Sequence, residues 1–561
     1  MAERVTRVIP QLASPAARVD SLASRFLAGL RWSDWGLGLV LTGLGIWLRW
    51  SGLAEGLWVD ELHTAWTVQG GWPDLIPRAT IGNQSPFYFA LVKLITDRFG
   101  LTADALRSLS LVAGCSLTPL CFAMVCRWTG SRSAAALTGA LVAMDPACRF
   151  YAVEARPYAL LQFVALLLLA LTYQRHRAPS RWLRAAWILG SALLIYFHYL
   201  AGLFVMGIAA VSLLFDLNTH LQHVRAGKEQ ATTASHPIAR SLADWGMIGL
   251  LSLPALLAMA ELFPHRHLWR RFVPAAEWLD ILTVFRLDLC VAIPALACAL
   301  SWLVGRMANR PPSTPRVMPG PALGILLTAA YAVPVILAWL ATRQEWAPIF
   351  LRRYLMPVAI VPMLAAGVLV AYVRPPFARG LVAVVVAGLA GITWLAPPQR
   401  PERRELWQEA VRYVNQTDPS AESAAFVGSG LIEAQRLTSA TEDAQPPDNS
   451  PVDAARLSEY CLFPVTGIYP LLPADRKLIP LPSAVTPQLQ PAHWALLATR
   501  SGAWFVLRCS SGVAERFAAQ LANQAPARGY RLATVAQKHF GGVTVLRVTT
   551  QPSDSPTVEP D

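Results

Sequence analysis

Apolar runs long enough to cross a bilayer recur along the first 395 residues of this chain. A crossing helix needs about 20 mostly apolar residues, which predicts about eleven spans. Two runs, 134–173 and 185–217, each exceed one crossing and are predicted to form two spans apiece. The first is expected to break at Asp145-Pro146 and again at Arg156-Pro157, because proline disfavours helix at the residue before it. The other spans are predicted at 35–50, 106–125, 245–262, 287–304, 322–340, 354–372 and 381–395.

The composition agrees with an integral membrane protein. Of 561 residues, 54% are hydrophobic and only 15% are charged, whereas soluble domains carry about 25% charged residues. The net charge is +13. In a polytopic protein a basic balance reflects Arg in cytoplasmic loops, so we predict membrane lipids and no nucleic acid among the partners. The predicted fold class is a polytopic α-helical membrane protein with a large first outer loop.

Basic loops set the expected orientation. Arg-rich segments at 175–184 and 225–240 are both predicted to be cytoplasmic, so the chain must turn near His198 on the outer side. The N-terminal segment, 1–33, lacks a signal-peptide pattern, and the first span is expected to be retained. With the N-terminus inside, an odd number of spans places everything after Pro397 outside. We expect a multi-pass protein of the plasma (inner) membrane.

The chain is predicted to divide into four parts. After the cytoplasmic segment come a transmembrane domain at 34–396, a small extracytoplasmic α/β domain at 397–548 and a disordered tail at 549–561. The polar insertion at 438–451 is expected to be mobile. Cys461 and Cys509 both fall in the α/β domain, where a disulfide is compatible with an extracytoplasmic location. Strands are predicted at 424–428, 504–508, 530–534 and 543–548, and helices at 402–415 and 513–523.

Two adjacent carboxylates, Asp60 and Glu61, follow the first span. Ionised groups near hydrocarbon are costly and are found mainly where function requires them. Acidic residues beyond a first span are also common without any function. The functional interpretation gains support because the later polar exceptions are predicted to face the same side.

Cations on the predicted outer side indicate an anion site. The basic loop around Arg270 departs from the positive-inside tendency, and Arg352, Arg353 and Tyr354 begin a late span. Guanidinium groups hold phosphate through two parallel hydrogen bonds. The alternatives are that the loop Arg residues only contact lipid head groups and that Arg353 only anchors a helix end.

Further polar residues are predicted to join this outer site. Glu154 and Tyr158 are four residues apart and would share a helix face, whereas Arg156 joins them only if the segment before Pro157 is not helical. A local Glu154–Arg156 ion pair is the alternative. His198 is either a site residue or a hydrogen-bonded structural residue. Lys93 is a candidate for an anionic head group, or else it reaches the membrane interface without a further role.

Several of these motifs, taken in order, resemble a known family. They are Asp60-Glu61, Ser85-Pro86-Phe87-Tyr88-Phe89, Tyr151 to Tyr158 with its Glu-Ala-Arg-Pro-Tyr core, Phe197-His198-Tyr199 and Arg353-Tyr354-Leu355-Met356-Pro357. The set is similar to that of lipid-linked-sugar glycosyltransferases of the C-type fold. The relatives are protein O-mannosyltransferases, the aminoarabinose transferase acting on lipid A and the lipopolysaccharide-core galacturonosyltransferases. One departure is Gln84-Ser85-Pro86, where many relatives carry His-Pro-Pro.

The resemblance implies one inverting displacement at the outer leaflet. A sugar on polyprenyl monophosphate is the donor, and the acceptor is a hydroxyl of a glycan, lipid or protein. We expect Asp60 to be the catalytic base, with Glu61 or Glu154 as a second acid or acceptor-binding group. Stabilisation of the leaving phosphate is expected from preorganised cations. The expected substrate-binding residues are Arg353, Arg352, Lys93, Arg270, Arg156, Tyr158, His198 and Tyr354.

No cofactor is firmly predicted. A divalent metal held by Glu61, His265 or His267 is compatible with the chemistry, although no ligand spacing indicates one. Two other functions remain open. A transporter or flippase for a lipid-linked sugar would place ionisable residues at the bilayer midplane and show inverted repeats. A membrane-anchored binding protein would work through its outer domain, and Asp60 would then be dispensable.

Overall fold

A computed structural model describes residues 32–225, 237–264, 266, 270, 273–307, 320–395, 405–419, 423–437, 451–497 and 502–552. The chain folds into a helical membrane part followed by a smaller part built on a β-sheet. The helices of the membrane part are α1 Trp32–Trp50, α2 Val59–Gln69, α3 Leu75–Ile81, α4 Pro86–Phe99, α5 Ala103–Thr129, α6 Arg132–Met144, α7 Pro146–Ala152, α8 Tyr158–Arg177, α9 Arg181–Phe197, α10 Gly202–Arg225, α11 Pro237–Leu262, α12 Asp280–Thr283, α13 Ile293–Met307, α14 Pro321–Arg343, α15 Val361–Ala371 and α16 Pro376–Trp394.

Eight helices among the described residues are long and apolar enough to span a membrane. The 3-10 turn Arg352–Val358 and α15 meet at an angle of 41°, and this bent pair is a ninth candidate if it is counted as one span. The two remaining predicted spans correspond to α6 and α9, which have 13 and 17 residues. At 1.5 Å per residue α6 is only about 20 Å long, which is shorter than a typical crossing helix. The polytopic fold class is confirmed, with eight clear spans where about eleven were expected.

The short α6 lies at the centre of the helical part, where it packs against α1, α5, α15 and α16. It ends as predicted at Asp145-Pro146, and the Asp145 carboxylate accepts the backbone N–H of Cys148 at 2.8 Å to cap α7. A non-helical turn, 153–157, then leads into α8. The end of α7 lies close to α5, because Gly114 lacks the Cβ that would collide with Ala152 at 2.3 Å.

The segment between the first two spans was predicted to be the first outer loop; this first outer segment, residues 51–102, contains three helices, α2, α3 and α4. Ser85 and Pro86 begin α4, with Pro at the first helical position, where its missing N–H costs nothing. Helix α2 packs against α4 on one side and against the C-terminal domain on the other. The predicted large outer loop is therefore a folded layer with a buried face.

The C-terminal domain is an α/β structure. Its sheet has five strands in the order β2-β1-β3-β5-β4, parallel from β2 to β3 and antiparallel from β3 to β4. The core strands β1 and β3 are buried along their whole length. The elements are α17 Trp407–Thr417, β1 Ala424–Gly428, α18 Pro451–Thr466, β2 Leu478–Pro480, α19 Pro491–Leu497, β3 Ala503–Leu507, α20 Ser511–Gln524, β4 Tyr530–Phe540 and β5 Val543–Pro552.

Two details of the sequence prediction need correction. Strand β5 continues to Pro552, where a disordered tail was expected from 549, because β4 extends far enough to pair Tyr530 with Pro552. Cys461 and Cys509 are free thiols, Cys461 being buried, so no disulfide joins them. Residues 1–31, the insertion at 438–450 and the tail at 553–561 lie outside the described residues, as does the predicted domain boundary at 396/397.

The C-terminal domain contacts the first outer segment directly. Tyr460 of α18 stacks on Trp66 of α2 with ring centroids 4.7 Å apart. Glu459 pairs with Arg78 at 2.9 Å. These contacts bring the sheet domain against the helix that carries Asp60.

Candidate active site

The N-terminus of α2 positions Asp60. Trp58 has extended backbone angles and precedes the helix, so Asp60 lies in the first turn. The segment before it is held by Arg107 of α5, whose guanidinium donates to the backbone oxygens of Leu53, Glu55 and Gly56 at 2.8 to 3.2 Å. The Asp60 side chain is 22% exposed, so it is accessible while its backbone is fixed.

Glu61 points to a different side of α2 from Asp60, and its carboxylate is occupied by hydrogen bonds. Arg107 donates to its two carboxylate oxygens at 2.7 and 2.6 Å, and the backbone N–H of Ala155 donates to it at 2.9 Å. The two side chains of this ion pair are 0% and 1% exposed. Truncating one member of a buried pair leaves an uncompensated charge and is strongly destabilising. These contacts give Glu61 a structural role, and Arg107 is a partner that sequence reasoning missed.

Two arginines flank Asp60. An Nη atom of Arg353 lies 3.7 Å from the Asp60 carboxylate, and one of Arg156 lies 4.0 Å from it. Burial on its own would raise the pKa of Asp60, but the positive charges of Arg156, Arg353 and Arg508 outweigh it and hold the pKa below its ordinary value. Asp60 is therefore an ionised, partly exposed carboxylate.

His63 lies one helical turn after Asp60 and contacts the same arginine. Its Nδ1 is 3.1 Å from Nη1 of Arg156. Burial, with help from the neighbouring Arg156 charge, lowers the pKa of His63 to about 3. A neutral imidazole whose Nδ1 accepts from Arg156 satisfies this geometry. We call Asp60, His63, Arg156 and Arg353 the Asp60 cluster.

The turn between α7 and α8 supplies Arg156. Residues 153–157 are not helical. Arg156 was predicted to lie on the same side as Glu154 and Tyr158 only under this condition. The turn is tied to α2 by the Thr64 hydroxyl, which donates to the Ala155 oxygen at 2.8 Å. Glu154 lies in the same turn and is buried, with 1% of the residue exposed. The side chain of Arg156 extends to α2 and its Nη atoms contact Asp60 and His63.

Arg352 and Arg353 enter the site from the 3-10 turn before α15. Arg352 lies 3.7 Å from Asp145 and over the Phe285 ring at 5.6 Å, and Arg353 lies over the Tyr354 ring at 5.3 Å. About a third of each guanidinium side chain is exposed, 33% and 31%. The buried Nε atoms of Arg352, Arg353 and Arg156 have no hydrogen-bond partner. The part-exposed guanidinium groups of Arg352 and Arg353 are therefore the ones open to an anion.

Aromatic side chains border this group. The ring centroid of His198 lies 5.5 Å from that of Tyr354 and 6.2 Å from that of Tyr158. His198 also accepts the backbone N–H of Leu200 at 3.3 Å, which fixes the turn between α9 and α10. Burial, followed by the charges of Arg156 and Arg353, lowers the pKa of His198 to about 4. His198, Tyr158 and Tyr354 form a neutral wall beside the arginines.

Lys93 and Arg270 have partners elsewhere. The Lys93 ammonium donates to the Val68 oxygen at 3.2 Å and to Asp97 at 2.9 Å. Arg270 is 56% exposed and pairs with Glu345 at 3.3 Å. The structure joins each of them to local partners rather than to the Asp60 cluster.

The described residues supply no ligand group for a divalent metal. Within the described ranges there is no group of three or more His, Cys, Asp or Glu side chains with metal-binding geometry. Both oxygens of Glu61 already accept hydrogen bonds from Arg107. His265 and His267 lie outside the described residues.

The C-terminal domain also reaches the site. Glu405 accepts the backbone N–H of Val59, next to Asp60, at 3.0 Å, and Arg508 donates to Glu405 at 2.6 Å. Sequence reasoning missed both residues. The fold and the site together define a polytopic membrane protein with a carboxylate–guanidinium site formed by chain segments far apart in sequence.

Two solved structures align over most of the chain: ArnT from Cupriavidus metallidurans bound to undecaprenyl phosphate, and the same protein in the apo state. They are 14% and 13% identical, cover 91% and 92% of this chain and 98% of theirs, and give TM-scores of 0.43 and 0.44. ArnT is an aminoarabinose transferase, one of the relatives that the motifs resemble. At this identity and TM-score no activity follows from the likeness.

No family model matches the chain, and no curated protein matches it.

Proposed function

We propose that this protein is a membrane glycosyltransferase that moves a sugar from a polyprenyl-phosphate donor to an acceptor hydroxyl at the extracytoplasmic face. One observation carries the proposal: the ionised, partly exposed Asp60 is flanked by the guanidinium groups of Arg156 and Arg353, and that of Arg353 is itself partly exposed. The site therefore offers a base for a hydroxyl and an adjoining binding place for a phosphate.

The reaction is a single inverting displacement. Asp60 accepts the proton of the acceptor hydroxyl while the hydroxyl oxygen attacks the anomeric carbon of the sugar. The bond from that carbon to the phosphate oxygen breaks, and its electron pair leaves with the polyprenyl phosphate. A general base placed in this way typically contributes about 10²- to 10⁴-fold to the rate.

Arg353 and Arg352 are suited to the leaving phosphate. Positive groups that are already fixed in place stabilise developing charge without reorganisation. Arg353 is 3.7 Å from Asp60, which is an ion-pair distance but too long for a tight hydrogen bond. A bound phosphate therefore competes favourably for the guanidinium and leaves the Asp60 carboxylate free for the hydroxyl.

Burial distinguishes the three candidate acids. Asp60 is the part-exposed one, whereas Glu61 and Glu154 are buried. Glu61 is saturated by Arg107 and Ala155. We therefore assign the base to Asp60 and give Glu61 and Glu154 positioning roles. His198, Tyr158 and Tyr354 form the wall against which the sugar ring would pack.

The experiment that tests the proposal is mass spectrometry of surface glycans, lipids and glycoproteins from cells with and without the gene. A sugar missing from one recipient class, restored by the native protein and by Asp74→Asn but not by Asp60→Asn, is expected. Asp74 is a suitable control because it pairs with Arg456 away from the cluster. Full restoration by Asp60→Asn would contradict the proposal. A lipid-linked sugar accumulating only on the inner leaflet would favour a transporter.

A further inference from the structure

The first turn of α2 is capped by a residue of another domain. The first N–H groups of a helix have no partner within it, and here the N–H of Val59 donates to Oε2 of Glu405 at 3.0 Å. The same oxygen accepts from Nε1 of Trp407 at 2.9 Å, and Glu405 is 4% exposed. A carboxylate at this end of a helix is electrostatically favourable. Glu405 therefore fixes the residue directly before Asp60.

Arg508 completes this contact from the sheet. It follows β3 and donates through Nε to Oε1 of Glu405 at 2.6 Å and through Nη1 to the Gly430 oxygen at 3.3 Å. Gly430 has a φ of +64° and lies against the Arg508 side chain, where a Cβ would be 3.3 Å from it. A glycine thus satisfies both the backbone angle and the close approach. The guanidinium is held by Glu405, which precedes α17, and by Gly430, which follows β1.

A third contact lies on the other side of Trp58. The N–H of Leu57 donates to the hydroxyl of Tyr469 at 3.0 Å. The C-terminal domain consequently binds the backbone both before and after Trp58. Together with Arg107, which holds residues 53 to 56 from the membrane side, this domain determines where Asp60 lies.

We propose that the C-terminal domain is part of the catalytic unit, with Glu405 and Arg508 as positioning residues that set the place and the electrostatic surroundings of Asp60. This deepens the proposed function, on which it rests for its meaning in turnover. The domain does not merely follow the last span. It provides the capping carboxylate of α2 and a third cation near the Asp60 carboxylate.

The charges of Arg508 and Glu405 predict pKa changes of opposite sign at Asp60. Arg508 is one of the groups that lower the pKa of Asp60. Removing its charge in Arg508→Gln should therefore raise the pKa of Asp60. Removing the negative charge of its partner in Glu405→Gln should lower it, because Arg508 is then left uncompensated. A general loosening of the domain would not shift the pKa of Asp60 in opposite directions in the two variants.

The test measures Asp60 protonation without requiring turnover. The full chain in lipid nanodiscs is treated with a carbodiimide, which reacts with protonated carboxyl groups, over a series of acidic pH values. Peptide mass spectrometry then gives the labelled fraction of Asp60 separately from that of Glu61. We expect more labelling at a given pH in Arg508→Gln, less in Glu405→Gln, and no change in Arg528→Gln, a control at an exposed position of the same domain.

The opposite shifts would support the proposal, and Arg508→Lys, which keeps the charge, should label like the native protein. Unchanged labelling in Arg508→Gln, or shifts in the same direction in both variants, would overturn it. The same variants are then assayed for sugar transfer. An inactive native protein would count against the proposed function alone, whereas an active native protein with unshifted labelling in both variants would count against the positioning roles alone.

Discussion

The residues around Asp60 determine whether its carboxylate is ionised and accessible. Two arginines within 4.0 Å keep it ionised, and its partial exposure leaves it open to a hydroxyl. Glu61, one residue on, is rotated by about 100° around the helix axis and meets Arg107 instead. Adjacent acids therefore have different roles because a helix sends consecutive side chains to different sides.

Replacing Arg353 tests the phosphate role at the residue scale. Arg353→Gln is expected to lower kcat/KM by about 10²- to 10³-fold, the range for losing one preorganised donor to a developing negative charge. Arg353→Lys should retain part of the rate, since it keeps the charge but loses the planar fork. Rates are measured as polyprenyl phosphate released from the donor. Arg98→Gln, at an exposed position of the outer segment, is the control, and equal rates for it and Arg353→Gln would contradict the assignment.

The pH dependence follows from the same neighbours. Asp60 must be ionised to act as base, and its pKa is lowered by Arg156, Arg353 and Arg508 against the effect of burial. The pKa of His63 is about 3 and that of His198 about 4. None of these groups titrates in the range of about pH 5 to 8 in which an ordinary histidine changes charge. We predict a flat kcat/KM profile over that range; an inflection lost in His63→Asn or His198→Asn would show that one of these residues titrates there.

Sequence reasoning found the residues that stand in motifs at the ends of apolar runs. Asp60, Arg156 and Arg353 all belong to such motifs, and the structure brings them together. Arg107, Glu405 and Arg508 were missed because their partners are 46 to 346 residues away. A local sequence pattern does not show which residues of segments so far apart contact each other. Lys93 shows the converse, since its i,i+4 partner Asp97 was a local clue that went unused.

At the scale of elements, the Arg107–Glu61 pair joins α5 to α2. Breaking a buried pair by removing one partner costs about 3–5 kcal/mol, so Glu61→Gln and Arg107→Met are each expected to lower the unfolding temperature markedly. The double variant Glu61→Leu/Arg107→Met should lose less than the sum of the two. Intrinsic fluorescence during heating in detergent measures this.

A matched control is the exposed pair between Arg270 and Glu345, whose side chains are 56% and 75% exposed. Exposed pairs contribute about 0–1 kcal/mol, so Glu345→Gln should unfold close to the native temperature. If Glu61→Gln unfolded at the same temperature as Glu345→Gln, the structural role of Glu61 would be wrong.

At the scale of the whole molecule, the account requires the C-terminal domain and the first outer segment to share one side of the membrane. The contacts of Tyr460 with Trp66 and of Glu405 with Val59 join these two parts. The predicted side is extracytoplasmic, from the basic loops. Single cysteines placed at exposed positions, Asn523→Cys in the domain and Arg98→Cys in the last turn of α4, should react with an impermeant maleimide in intact cells. Ala178→Cys, in the basic loop, should react only after permeabilisation, and the reverse pattern would place the site in the cytosol.

The most direct measurement is the transfer rate of purified Asp60→Asn with a polyprenyl-phosphate sugar donor, compared with the native protein and with Asp74→Asn. Asparagine keeps the shape of the side chain but takes no proton. The account predicts a fall of about 10²- to 10⁴-fold in turnover, the usual contribution of a general base, with unchanged membrane insertion and native-like turnover for Asp74→Asn. Turnover by Asp60→Asn at the native rate would remove Asp60 from the mechanism.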